Sequence, residues 1–308
     1  MCIMKKYLVP LLLVAVLVTA FTSCKPDEEI YNPKCKISKI WYRSDVGSPN
    51  ELYVYDNKGR ELQQIVVDSI YSFVFSYNKD KTVSKIVHVG EDYTETIDFQ
   101  WTDQLVDKMT YTIDGAVRLE YTFYRHTDKK DPAIGRIDYI EEMYDREFYD
   151  QYFWKNRRHP LYDKVFGNYE EIAEIAAKAA SKDLRMYSVK RFTYNPGKKK
   201  KYENISKYVE EFPIAQTVVT HTYQYDLESY NPFYGLPFAY ADMAGYYVNL
   251  KTAEHIETVV AGSVSKVEDI TYNYEGTHYM NEKHYPRQFV TISSENNIPV
   301  HTYILYKK

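Results

Sequence analysis

Disulfide frameworks, thiolate metal clusters and membrane-crossing helices find little support in this chain. It has three cysteines in 308 residues, at positions 2, 24 and 35, too few for either kind of sulfur site. Glycine (11) and proline (12) are sparse, and no glycine-rich loop of the kind that cradles phosphate occurs. None of the eight histidines forms the i, i+4 pair around a glutamate that a zinc protease helix needs, and there is no Gly-x-Ser-x-Gly elbow. His278, His284 and His301 read as scattered surface positions. No motif calls for a cofactor, so the expected set is none. A net charge of −4 argues against nucleic acid as a partner.

What is present starts at the N-terminus. Lys5 and Lys6 give a positive head, Tyr7 to Ala20 is almost wholly apolar, and Thr22-Ser23 supplies small residues. This is a secretion signal over residues 1–23, its apolar run shorter than the roughly 20 residues of a spanning helix. Cys24 directly behind Thr22-Ser23 resembles the lipobox of bacterial lipoproteins. That resemblance implies cleavage before Cys24 and lipid, palmitate among it, on the sulfur and the new amino group. Lys25, Asp27, Glu28 and Glu29 resemble the acidic tag that sends Bacteroidetes lipoproteins to the outer face of the outer membrane. Pro26 interrupts that tag, so the surface and periplasmic faces both stay open. Residues 24–36 then form an acidic tether, and Cys35 is left without a disulfide partner. The membrane is the partner this segment implies, since several acyl chains, at about 0.8 kcal/mol per buried methylene, anchor durably.

Tyrosine is the compositional outlier, with 34 copies. Its apolar ring and wet hydroxyl suit half-buried sheets. From Ile37 to about Tyr139 one phrase recurs: alternating apolar residues, an aromatic, a polar turn, then a new strand. The aromatics Tyr55, Tyr77, Trp101 and Tyr124 fall 22 to 24 residues apart, within the range of stacked repeats. Asp56-Asn57-Lys58-Gly59 supplies the turn. The stretch from Tyr55-Asp56 to Gly59-Arg60-Glu61-Leu62 resembles the tyrosine-aspartate repeats of bacterial surface and toxin-shell proteins. The copies are too few for a toxin shell. Strand patterns resume from Met186, and the links between the early strands are too short for parallel crossovers. The expected fold is therefore all-β. It is a large antiparallel, strongly curved sheet or incomplete barrel of meander hairpins, forming one domain over residues 37–308. A split into two sheet subdomains near residues 141–184 is the alternative.

A helical insertion is expected over about residues 141–184, with its clearest helix from Asn168 to Leu184. A second short helix is expected from Pro237 to Tyr247. The acidic stretch Glu141, Glu142, Asp145, Glu147, Asp150 reads as a solvated face, and Asn231-Pro232-Phe233 as a turn. The lysine run 198–201 after Asn195-Pro196-Gly197 reads as a hairpin tip, a positive cluster of the kind that attracts anionic lipid or polysaccharide. The signal together with Asn231-Pro232-Phe233 is similar to an uncharacterised lipoprotein family of gut Bacteroidales, which implies an envelope location and a β fold but no reaction.

Function follows only coarsely. The leading reading is a non-catalytic envelope lipoprotein that binds a glycan, a lipid or an envelope partner. Trp41, Tyr42, Trp154 and Tyr234 are the candidate contacts; Trp41 and Trp154 lie outside the regular strand phrases, whereas Trp101 holds a repeat position and reads as core. The alternatives are a structural spacer or assembly subunit and a secreted hydrolase built from unrecognised carboxylates.

Overall fold

The computed structural model describes residues 33–42, 50–145, 159–166, 185–196, 202–213, 215–236, 246–274 and 280–307. The first nine strands are β1 (Ile37–Trp41), β2 (Glu51–Tyr55), β3 (Leu62–Val67), β4 (Tyr71–Tyr77), β5 (Val83–Val89), β6 (Thr94–Thr102), β7 (Leu105–Ile113), β8 (Ala116–Arg125) and β9 (Ile137–Asp145). A short helix, α1 (Pro160–Phe166), comes next. The chain then completes the wall with β10 (Arg185–Pro196), β11 (Tyr202–Phe212), β12 (Thr217–Tyr230), β13 (Asn249–Val260), β14 (Ser263–Asn273), β15 (Gln288–Ser293) and β16 (Val300–Tyr306). Every strand pairs with the next, and β16 returns to β1 through Ile37↔Tyr306 and Trp41↔Tyr303. The expected curvature thus runs to full closure, in an antiparallel barrel without free sheet edges.

Local chemistry explains the hairpins. Asp103-Gln104 and Asp114-Gly115 take positive φ at both residues, the mirror-image turn whose twist matches the flanking strands. At Gly59, φ is 66°, and Asp56 Oδ1 accepts the Arg60 amide at 2.5 Å, as that turn sequence predicts. Alternation then sorts the faces. Along β8, Leu119, Tyr121 and Phe123 are buried inside, while Arg118, Glu120, Thr122 and Tyr124 face out. Cross-strand ion pairs decorate the outer wall: Lys85–Asp98 at 2.9 Å, Lys108–Glu120 at 2.5 Å, and Arg118–Asp145.

One device recurs at the ends of the even strands. The ladder slips just before Tyr55, Tyr77, Trp101, Arg125, Tyr194 and Tyr225. Such a bulge re-aims the side chain that follows it. Each of these residues donates to a carbonyl near the start of the preceding strand. The acceptors are Ile37 at 2.8 Å, Leu62 at 2.6 Å, Val83 at 2.7 Å, Val106 at 2.9 Å, Ile137 at 2.9 Å and Ile205 at 2.5 Å. Tyr306 completes the series on Pro286 O at 2.5 Å. The repeat seen in the sequence is therefore a latched hairpin. In the fourth unit the latch is Arg125, not Tyr124. Alternation leaves Tyr124 outward, where it stacks on Tyr139 at 4.3 Å and donates to Glu141 at 2.9 Å. Trp101 packs against the core as its repeat position implies.

The insertion starts later than expected. Residues 141–145 belong to β9, and the β9–β10 ladder, with Val189↔Glu141 and Arg185↔Asp145, joins the two halves into one sheet. The helix expected at residues 168–184, and residues 237–245 of the one expected from Pro237 to Tyr247, lie outside the described residues. Helix α1 sits inside the barrel, with Leu161, Tyr162, Val165 and Phe166 in the same core cluster as the wall. Because all neighbours are antiparallel, the turns alternate between two rims. The latches, the start of β1 and the end of β16 share one of them.

Replacing Tyr194 by Phe deletes one latch and leaves a buried carbonyl short of a donor. The expected cost is about 1–3 kcal/mol, read as a lowered urea midpoint. Tyr124→Phe, on the outer wall, is expected to cost less than about 0.5 kcal/mol.

Candidate functional site in the barrel interior

The barrel encloses charge as well as apolar bulk. On β6, Glu95 follows the inward phase of Ile97 and Phe99 and is fully buried. Its carboxylate accepts the Tyr111 hydroxyl at 2.6 Å and the amides of Leu161 and Tyr162 at 3.3 and 3.2 Å. A wall residue thereby caps the first turn of α1, whose free amides need an acceptor. His159 Nδ1 lies 4.0 Å from the same carboxylate, and its ring meets Tyr93 edge-on. Burial pushes the Glu95 carboxyl up to about 7, despite the three donors that oppose the rise. On β2, Glu51 accepts from Tyr53 at 2.8 Å, from Tyr42, and from Lys164 of α1. Burial would raise Glu51, but the Lys164 ammonium and its hydrogen bond outweigh that and hold it below the usual carboxylate range. Two wall carboxylates therefore clamp the helix, whose Phe166 stacks on Tyr121 at 5.2 Å.

A second cluster spans β9, β10 and β11. Lys190 sits 2.6 Å from Glu142 and 3.7 Å from Glu210. The Ser188 hydroxyl bridges the two acids, 2.9 Å from Glu142 and 3.3 Å from Glu210, and Tyr144 also donates to Glu142. Burial pushes Glu210 up to about 8. Lys190 opposes the shift, and the neighbouring Glu142 adds to it. Burial also disfavours the Lys190 ammonium, but the two carboxylates more than offset this and hold it charged. Lys190, Glu142, Tyr121, Phe166 and Tyr246 border a void of about 10 Å³, room for about one water.

The third cluster lies on β12, β13 and β14. Glu254 contacts Lys251 at 3.0 Å, His221 at 2.8 Å and the Tyr272 hydroxyl at 2.9 Å. Rings of Tyr223, Tyr247 and Tyr272 surround the Lys251 ammonium at 5.1, 5.5 and 5.0 Å, close enough for cation–π attraction. Burial alone would raise Glu254, but Lys251 and His221 together hold it far below the usual range. Across the three clusters, four of the five buried glutamates receive a tyrosine hydroxyl, which accounts for part of the tyrosine excess.

Of the residues proposed from sequence, Tyr42 joins this interior through Glu51. Cys24 and Trp154 lie outside the described residues, as do Lys198 to Lys201. Trp41 stands opposite Tyr303 at the β1–β16 seam. Half-exposed Tyr42 reaches inward to Glu51. Tyr234 accepts from Arg136 at 3.3 Å, in a different neighbourhood. Asn231-Pro232-Phe233 is a turn as expected, with Asn231 Oδ1 taking the Phe233 amide at 3.0 Å. The acidic stretch is not a uniform solvated face. Glu141 and Asp145 are on the outer wall, but Glu142 is buried against Lys190. Its phase carries the signal that was missed: it sits between inward Ile140 and Tyr144, as Lys190 precedes inward Phe192 and Tyr194. Among the described residues, no group of three or more His, Cys, Asp or Glu is placed to hold a metal ion. Lys164, Lys190 and Lys251 each pair with a buried glutamate of their own cluster. Their chemistry is the fastening of helix to wall and of wall to wall.

No family model matches the chain, and no curated protein matches it. Among solved structures, a porin-like protein from Bacteroides vulgatus ATCC 8482 is similar over 89% of this chain and 99% of its own, at 9% identity and a TM-score of 0.39. A TcdB2-TccC3 structure is similar over 88% of this chain but 13% of its own, at 10% identity and a TM-score of 0.35. The barrel itself rests on its own strand pairing: a closed antiparallel meander with a filled interior.

Two predictions follow from the buried charges. The unfolded chain releases the Glu95 proton near 4.5, whereas the folded chain keeps it to about 7. Stability from this group therefore falls as pH rises through that window, by up to about 3 kcal/mol at about 1.4 kcal/mol per unit. Glu95→Gln is expected to lose less stability than wild type between pH 5 and pH 8 in urea unfolding. An equal loss would sink the assignment. Lys190→Met strands the buried Glu142 carboxylate and is expected to cost about 3–5 kcal/mol. Lys190→Met with Glu142→Gln is expected to recover part of that.

Proposed function

We propose that this protein is a non-catalytic cell-envelope lipoprotein: a water-exposed barrel carried on lipid at Cys24, presenting its outer surface to a glycan, a lipid or another envelope component. The observation that supports this most is the polarity of the wall. A membrane-spanning barrel turns an apolar band flanked by aromatic girdles toward lipid. Here the buried apolar cluster lies inside, and the outward phase mixes Val54, Val74, Val117, Val267 and Leu305 with Lys85, Asp98, Lys108, Glu120, Arg118 and Asp145. Hydrocarbon does not solvate such a wall, so membrane attachment falls to the N-terminal segment.

Two rival readings are weaker. Assembly through strand addition needs an open sheet edge, and closure through β1 and β16 removes it. A carboxylate hydrolase needs space across its acidic pair. Glu142 and Glu210 do approach one another, but Lys190 stands between them beside a void for one water.

The chain from residue 25 onward is expected to be monodisperse in buffer without detergent. The full chain, expressed in a host with lipoprotein-processing enzymes, is expected to take up an alkyne-tagged fatty acid and pellet with membranes. Cys24→Ser should abolish both. A barrel that precipitates unless detergent is present would overturn this reading.

A further inference from the structure

The two rims of the barrel differ in charge. On the latched rim, exposed cations stand in three turns: Lys58 and Arg60, Lys79 and Lys81, Lys129 and Lys130. The chain ends add exposed Lys34 and Lys307 at the seam. The same rim also carries exposed Asp80, Asp103, Asp128, Glu228 and Glu282, outnumbered by its cations, which include Lys283 and Arg287. Asp56, Asp80 and Asp128 are drawn toward the backbone. Asp56 takes the Arg60 amide, Asp80 the Thr82 amide at 3.2 Å, and Asp128 the Lys130 amide at 2.9 Å. The opposite rim has the reverse character. Its hairpin turns carry exposed Asp68, Glu91, Asp92, Asp114 and Glu295 and, among the described residues, no lysine or arginine; Lys164, in the β9–β10 connection, is paired with Glu51.

Position gives this asymmetry a use. The chain enters β1 from the basic rim, where the Lys307 amide donates to Lys36 O at 2.8 Å and Lys36 reaches Gly59 O at 3.1 Å. Residues 25–36 span at most about 40 Å when extended, at about 3.3 Å each. A lipid on Cys24 would hold the basic rim, and not the acidic one, next to the bilayer. Clustered cations near an anionic leaflet are attracted over about a Debye length. We propose that the latched rim is the membrane-facing end of the barrel and docks on anionic phospholipid headgroups, with the acidic rim pointing away. This rests on the lipoprotein reading above, and it adds an orientation and a surface.

The test removes the anchor, so that the two ideas fail separately. The chain from residue 25, which contains all sixteen strands, is mixed with phosphatidylcholine vesicles with and without phosphatidylglycerol and sedimented. Binding is expected only with phosphatidylglycerol, and should fall about ten-fold or more between about 50 and about 500 mM salt. Reversing Lys79, Lys81, Lys129 and Lys130 to Glu is expected to weaken it by at least about ten-fold. Asp68→Asn with Glu91→Gln on the far rim should bind like wild type. If the reversed protein unfolds, the same four positions changed to Gln replace it, with the same expectation. Equal partition onto neutral vesicles, or a four-site variant that binds unchanged, overturns the proposal. Loss of fatty-acid labelling would instead strike the anchor and leave this result standing.

Discussion

A hydroxyl, indole or guanidinium hanging from a main-chain carbonyl is what the barrel closes around. At six even strands the ladder slips by a residue, the next side chain swings inward, and it binds the backbone near the start of its partner strand. Two needs are met together. The slip adds local twist, which a sheet needs in order to curl on itself. The donor satisfies a carbonyl at a buried rim, where an orphan acceptor would cost about 1–3 kcal/mol. The chemistry of the donor is secondary: tyrosine, tryptophan and arginine all serve, because each has a long body and an N–H or O–H at its tip.

The interior follows from that size. A sixteen-stranded wall encloses more volume than its own side chains fill, and wide barrels of this kind elsewhere hold channels or plugs. Here part of the space is taken by α1 and by Tyr246 and Leu236 from the β12–β13 connection. A helix placed among inward side chains needs partners for its amides. Glu95 provides them, at the cost of burying a carboxylate. The same trade recurs around Lys190 and Lys251, where each ammonium is matched to carboxylates and screened by tyrosine rings. Such pairs add little net stability over an apolar core, but breaking one is expensive. They fix which parts of the interior meet.

Much of the fold was legible because alternation and turn chemistry are local. Leu119, Tyr121 and Phe123 mark an inward face without help from the rest of the chain, and Asp56 to Gly59 marks a turn. The latch role of Arg125 was half legible: it continues the inward phase of Leu119, Tyr121 and Phe123, but nothing local says that its guanidinium meets the Val106 carbonyl. Closure was hidden: Ile37 and Tyr306 pair because fourteen intervening strands have accumulated the needed curvature. Buried charge was half legible. Glu142 and Lys190 stand in the inward phase of strands that are otherwise apolar or aromatic, but phase alone does not tell a buried ion pair from a surface one. The aromatics chosen for binding were picked because they broke the pattern, and Tyr42 broke it in order to reach Glu51.

The seam between β1 and β16 also sets an order of events. β1 finds its second neighbour in β16, after every other strand of the wall. Contacts of such long sequence separation form slowly. One edge of β1 stays uncovered until β16 has been made, and any truncation that removes β16 exposes two unpaired edges at once. Ring closure is thus a built-in check on completeness: a prematurely ended chain keeps the sticky margins that invite aggregation or proteolysis.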